Sequence, residues 1–191
     1  MKSVCVYCGS AAGKSPAYTQ AALHLAQQMV ERRLELVYGG GNVGLMKVIA
    51  DEVLRLGGHV TGVIPRSLQE RELAHADLNH LHIVANMHER KAMMAELSDG
   101  FIALPGGIGT LEELFEMYTW LQLGFHQKPL GLLNVDGFYD QLMQFLKHAV
   151  DRGFLKPEHH MLLLRSSNPE HLLQQMQHFE DCLRHDPKLG T

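Results

Sequence analysis

Leu104-Pro105-Gly106-Gly107-Ile108-Gly109-Thr110-Leu111-Glu112-Glu113 is the stretch that decides the fold. Before it, Phe101-Ile102-Ala103-Leu104 is a short apolar run stopped by proline. After it, Leu111, Leu114, Phe115, Tyr118 and Leu121 recur at helical spacing. The glycines therefore occupy a strand-to-helix turn. Such a turn aims unpaired N–H groups, and the positive end of the new helix, at whatever lies above the sheet, which suits a phosphate. Adjacent glycines also remove the Cβ atoms that would hold a ligand away from the backbone. The same residues would serve a merely tight turn, so the rest of the chain has to decide between the two uses.

Outward from this turn the chain alternates. Residues 4–7, 34–38 and 59–64 read as strands, the third closed by Pro65, and shorter strands follow at 81–84, 101–104, 130–134 and 161–164. Helices fall between them. The first opens at Ser15-Pro16 with Ala22, Leu25, Ala26, Met29 and Val30 on one face, and the second carries Leu45, Met46, Ile49, Ala50, Val53 and Leu54 before Gly57-Gly58. Others cover 87–97, the stretch from the glycine turn to about Leu123, the segment through Leu142, Phe145, Leu146, Ala149 and Val150, and the end from Asn168-Pro169. The charged segment 66–80 has no sustained period and reads as a loop or short helix over the site. Near-continuous apolar strands separated by helices predict an α/β fold: a Rossmann-like, doubly wound parallel sheet with helices on both faces, in a single domain over 1–183 with a polar tail at 184–191.

Composition excludes several classes. A chain of 191 residues with 46% hydrophobic residues and a net charge of -4 fits one globular domain with an ample core, and it lacks the basic excess that nucleic acid binding needs. No run approaches ~18 apolar residues, and the apolar start at Val4 is too short for a signal peptide, so a soluble, cytoplasmic protein without membrane contact is expected. Three cysteines, an odd number, fit a reducing compartment. Cys5 and Cys8 have redox spacing, but residues three apart on a strand face opposite sides and are badly placed for a disulfide. None of the thirteen histidines has zinc-site spacing, so no metal is expected.

In doubly wound sheets ligands bind beyond the carboxyl ends of the strands, and three loops there are made of small residues: Cys8-Gly9-Ser10, residues 39–44 and residues 105–109. Together they point to a nucleotide-sized ligand. Gly9 to Gly13 is no P-loop, because only three residues separate the glycines where four are needed. Gly39-x-Gly41-x-x-Gly44 does match the dinucleotide fingerprint, and Arg66 could meet a 2′-phosphate, so an NADP-binding protein is the alternative. Met87-His88-Glu89-Arg90-Lys91 sets two permanent cations at a helix start, where the dipole disfavours them. Because an arginine fork suits phosphate oxygens, Arg90 is a candidate clamp for an anion.

Residues 105–113 and 87–91, as a pair, resemble the signature of the LONELY GUY family of cytokinin riboside 5′-monophosphate phosphoribohydrolases, long mislabelled lysine decarboxylases. The similarity extends through Cys8-Gly9-Ser10, residues 39–46, Lys128 to Asn134 and Gly137-Phe138-Tyr139; it departs at Lys47, where the family usually has glycine. The resemblance implies hydrolysis of the N-glycosidic bond of AMP or an N6-modified adenosine 5′-monophosphate to free base and ribose 5-phosphate, without cofactor, by a homodimer. It makes Arg90 and Glu113 the essential pair. Gly9, Ser10, Gly40, Gly41, Met87, Lys91, Pro105, Gly106, Gly107, Gly109 and Thr110 would surround the substrate, with an acid after Pro65, either Glu70 or Glu72. Family relatives include molybdenum cofactor carriers, which leaves a non-catalytic carrier of a phosphate-bearing cofactor as a further alternative.

The chemistry has its own logic. A carboxylate stabilises the positive charge that develops on ribose as the bond breaks, and the first turn of a helix favours the ionised form of Glu113 at neutral pH. Thr110-x-x-Glu113 is equally the spacing of a capping box, in which Glu113 would only bond the helix start. Phe115, Met117, Tyr118 and Trp120 widen the apolar face of their helix beyond one stripe, which also points to a homodimer.

Overall fold

The computed structural model describes residues 1–72 and 74–185, in which seven strands are interleaved with eight α-helices and a 3-10 turn at Val135–Gly137. The order is β1 (Ser3–Tyr7), α1 (Pro16–Glu31), β2 (Glu35–Tyr38), α2 (Gly44–Arg55), β3 (Val60–Pro65), α3 (Arg66–Glu72), β4 (His80–Val84) and α4 (Met87–Glu96). There follow β5 (Phe101–Ala103), α5 (Ile108–Gln122), β6 (Leu130–Leu133), α6 (Asp140–Asp151), α7 (Pro157–Met161), β7 (Leu163–Ser166) and α8 (Pro169–His185). All pairings are parallel, in the order β4-β3-β2-β1-β5-β6-β7.

The period of two along β1 separates the two cores. Val4 and Val6 join Leu25 and Met29 of α1, Ile49 and Val53 of α2, and Leu172 and Met176 of α8. Cys5 and Tyr7 join Met94 of α4, Leu114 and Met117 of α5, and Leu146 of α6. Helices thus cover both faces, as the continuous apolar strands require. Cys5 and Cys8 are buried free thiols in opposite cores. At the start of α1 the Ser15 hydroxyl accepts a hydrogen bond from Ala17 N–H at 3.3 Å, with Pro16 at the first helical position.

One sequence expectation shifts. The last strand is Leu163–Ser166 and not 161–164, because Pro157 opens the short helix α7 that ends at Met161. An apolar run this short does not by itself distinguish helix from strand, and here it straddles both. The segment after β3 takes the second of its two expected forms, the short helix α3; α8 runs to His185, and residues 186–191 of the expected tail lie outside the described residues.

The topology places the site. From β1 the sheet grows one way through β2, β3 and β4, and the other way through β5, β6 and β7, so the strand order reverses between β1 and β5. The loops above that crevice are bolted together by backbone. Gly9 N–H donates to Pro105 O at 3.1 Å, and Leu45 N–H donates to Gly9 O at 3.0 Å.

Candidate active site

At the crevice, α5 starts without a cap. Gly107 is its N-cap residue, in extended backbone, and no side chain bonds the first N–H groups. A Cβ on Gly107 or Gly109 would meet nothing within 4 Å, whereas one on Gly106 would lie 2.1 Å from Thr110 Oγ1 and 2.9 Å from Gly9 N. Gly106 therefore lets the loops pack, and the other two leave the N–H groups approachable. The capping-box alternative for Glu113 does not hold. Thr110 is the third residue of the helix rather than its cap, which puts Glu113 well past the first turn.

A side-chain cap close to a capping box does exist at α4, with Asn86 as the cap residue. The Asn86 side chain accepts from Glu89 N–H at 3.0 Å, and Glu89 Oε2 accepts from Ala85 N–H at 2.9 Å. This acid offsets the unfavourable cations that follow and fixes the helix rotation that turns Arg90 inward. Arg90 is 7% exposed. Its Nη2 stands 3.7 Å from Glu113 Oε1, too far for a hydrogen bond, Nη1 touches only the weak acceptor Met87 Sδ at 3.7 Å, and Nε has no partner. Gly39 lies against the fork: a Cβ there would be 1.9 Å from Nη2. A buried guanidinium with so few acceptors is a cation short of an anion.

Glu113 overturns one expectation. Burial pushes its carboxyl from the usual 4.5 up to about 7, with Arg90 pulling the other way and losing. The dipole argument fails because Glu113, the sixth residue of α5, lies beyond the first turn, and desolvation then sets its state, so at neutral pH the group is divided between acid and carboxylate. Lys91, one residue from Arg90, points elsewhere. Its Nζ binds Glu112 and sits 3.1 Å from Glu116, and burial opposed by these two acids leaves its pKa raised.

A cleft of about 310 Å³ gathers Ser10, Met87, Arg90, Gly107, Gly109, Thr110 and Glu113. An adjoining, more apolar cavity of about 270 Å³ shares Ser10 and Gly107 with it and adds Gly9, Pro105 and Gly106. Lys91, Gly40 and Gly41 line neither; Gly40, at φ +73°, and Gly41, bridged to Ala74, shape the loop behind Arg90. The cleft also takes Gly39, read from the sequence as part of the dinucleotide fingerprint, and Tyr7, Leu68 and Glu112, to which the sequence gave no role. Tyr7 was open to prediction, since it ends β1 at the crevice; Leu68 of α3 gave no signal. The side chains of Glu70 and Glu72 lie outside the described residues.

The dinucleotide fingerprint is spent on packing. It follows β2, one strand away from the reversal between β1 and β5. Its first glycine backs onto Arg90, and a Cβ on Gly44, at φ +54°, would lie 2.3 Å from the Ser10 carbonyl carbon. Among the described residues no three His, Cys, Asp or Glu side chains converge as metal ligands.

Comparison with known proteins adds an independent line. The family model described as possible lysine decarboxylase matches residues 46–176. The chain is 50% identical over 179 residues to cytokinin riboside 5′-monophosphate phosphoribohydrolase LOG7 of Arabidopsis thaliana, covering 94% of this chain and 82% of that protein. It is 51% identical to LOG5 of the same plant, over 94% of this chain and 78% of that protein. Among solved structures, the Moco carrier protein of Chlamydomonas reinhardtii superposes with a TM-score of 0.70 at 19% identity, over 95% of this chain and 98% of that one. The molybdenum cofactor binding protein of Rippkaea orientalis gives 0.65 at 22%, over 92% and 93%. At such identities the likeness shows the fold alone.

Proposed function

Since the chain belongs to the LONELY GUY family of cytokinin riboside 5′-monophosphate phosphoribohydrolases, we infer that it is an N-glycosidase acting on a nucleoside 5′-monophosphate, AMP or an N6-modified relative. The observation that carries this reading is the buried, under-partnered Arg90 fork facing Glu113 beside the uncapped start of α5. Phosphate binds the free N–H groups of α5, with the Arg90 fork as the nearby cation. Ribose then lies over Glu113. The bond from C1′ to the base nitrogen breaks, its electron pair leaves with the base, which takes up a proton, and water adds its oxygen to C1′ while Glu113 accepts the water's proton. The carboxylate also stabilises the cation that develops on the sugar. A non-catalytic carrier needs the anion site but has no use for a carboxyl buried against its cation.

Incubation with matched nucleosides and monophosphates, followed by chromatography for free base, tests this. AMP or its N6-substituted relatives should be cleaved roughly 10²-fold or more faster than the matching nucleosides, because the phosphate anchors the sugar. Equal rates on adenosine and AMP would remove the assignment of α5 and Arg90.

The homodimer is part of the same proposal. Leu111, Phe115 and Trp120 are only half-buried on α5, and nearby elements expose large apolar side chains, Phe125 at 73% and Phe154 at 91%. Sedimentation at micromolar concentration should show two chains per particle, and a monomer there would refute the pairing. Among the described residues no helix is long and apolar enough to cross a membrane. The net charge of -4 offers nothing to a polyanion, and the free Cys5 and Cys8 fit the cytoplasm.

A further inference from the structure

We propose that His75 is a positioning residue for this cleft: its bond to Asp51 latches the segment behind α3 onto the loop at 39–41 and so keeps that loop seated against Arg90. The proposal rests on the cleft being the nucleotide site. His75 is 4% exposed, unusual for a polar ring with no place in the cleft, and all its polar atoms are used. Asp77 N–H donates to Nδ1 at 3.3 Å, so the proton sits on Nε2, which donates to Asp51 Oδ1 at 2.7 Å. The backbone N–H of His75 donates to Gly40 O at 3.2 Å, and the neighbouring Ala74 forms an antiparallel bridge with Gly41.

The far end of the latch runs through a lysine. Asp51, on α2, is 3.0 Å from the Nζ of Lys47, and Lys47 donates to Asn42 Oδ1 in the glycine loop at 3.2 Å. Lys47 is the position at which the sequence departs from the family pattern. The loop is thereby held from two sides. On its inner side Gly39 touches the Arg90 fork, and the latched segment continues back into α3, whose Leu68 forms part of the cleft wall. Releasing His75 would free the support of Gly40 and Gly41, and with it the distance between Gly39 and Arg90, without altering any group that touches substrate.

Steady-state kinetics on the cleaved monophosphate, amide hydrogen exchange and AMP titration calorimetry test this on the full chain. His75→Ala and Asp51→Ala should each raise KM about tenfold while kcat changes little, weaken AMP binding to the same extent, and speed exchange at residues 74–77. Asp51→Asn should keep a near wild-type KM, because its amide oxygen still accepts from Nε2. A lowered melting temperature with unchanged KM and AMP affinity in both alanine variants would overturn the proposal, leaving His75 a stabilising contact only. So would an Asp51→Asn protein as impaired as Asp51→Ala. A wild-type protein that binds AMP but cleaves no monophosphate would refute the enzymatic reading alone, with calorimetry still judging the latch; one that does not bind AMP at all would refute both.

Discussion

Glu113→Gln is expected to lower turnover by roughly 10²-fold or more while making the protein more heat-stable at pH 8. The two effects have one origin. Burial raises the Glu113 carboxyl from 4.5 to about 7 even though Arg90 stands 3.7 Å away. Between those pH values the folded protein holds a proton that the unfolded chain has lost, so stability falls as pH rises through the window. Above it the cost is complete, of order 3 kcal/mol. Gln resembles the protonated acid at all pH values and escapes this cost, so its advantage in melting temperature should be present at pH 8 and vanish near pH 4. Activity runs the opposite way. If the carboxylate is the working form, kcat/KM of the wild-type protein rises with pH to an inflection near 7, and the Gln variant loses both the inflection and the rate. A stable Gln variant with undiminished hydrolysis would end the case for Glu113. A wild-type rate that falls with pH through 7 would make the acid, not the carboxylate, the working form.

Arg90→Lys should cost about 10²-fold in kcat/KM and leave the pH inflection where it is. The substitution keeps a positive charge near Glu113 but discards the flat fork that lies along Gly39 and offers two parallel donors to phosphate oxygens. The unmoved inflection is the diagnostic part: it shows that the electrostatic environment of Glu113 survives while anion recognition is lost. Near wild-type kcat/KM in Arg90→Lys would reduce Arg90 to bulk charge. An inflection displaced together with the rate would mean that its main task is tuning Glu113.

What could be read beforehand was what local pattern controls. The apolar runs of β1, β2, β3, β5 and β6 are buried on both faces, so their composition announces them, and the glycine turn before α5 marks the reversal of strand order. Arg90 and Lys91 show the limit. Two consecutive helical cations differ by about a third of a turn, and only the packing of α4 decides that one enters the cleft while the other meets Glu112 and Glu116. The charge state of Glu113 depends on how much water the folded cleft excludes, which no neighbouring residue in the sequence encodes. His75 was one of thirteen histidines without local pattern, and its partner lies 24 positions away on α2.

The central position of β1 has a bearing on biosynthesis. Strand β1 is made before every other strand of this sheet, yet one of its edges is not paired until β5 arrives, roughly a hundred positions later, where Cys5 meets Phe101. The crevice above that pairing does not exist on a shorter nascent chain, which instead presents an open apolar strand edge. A chain halted before β5 is thus a candidate for chaperone capture rather than a partly active enzyme, and the site comes into being only once α5 has been translated and docked.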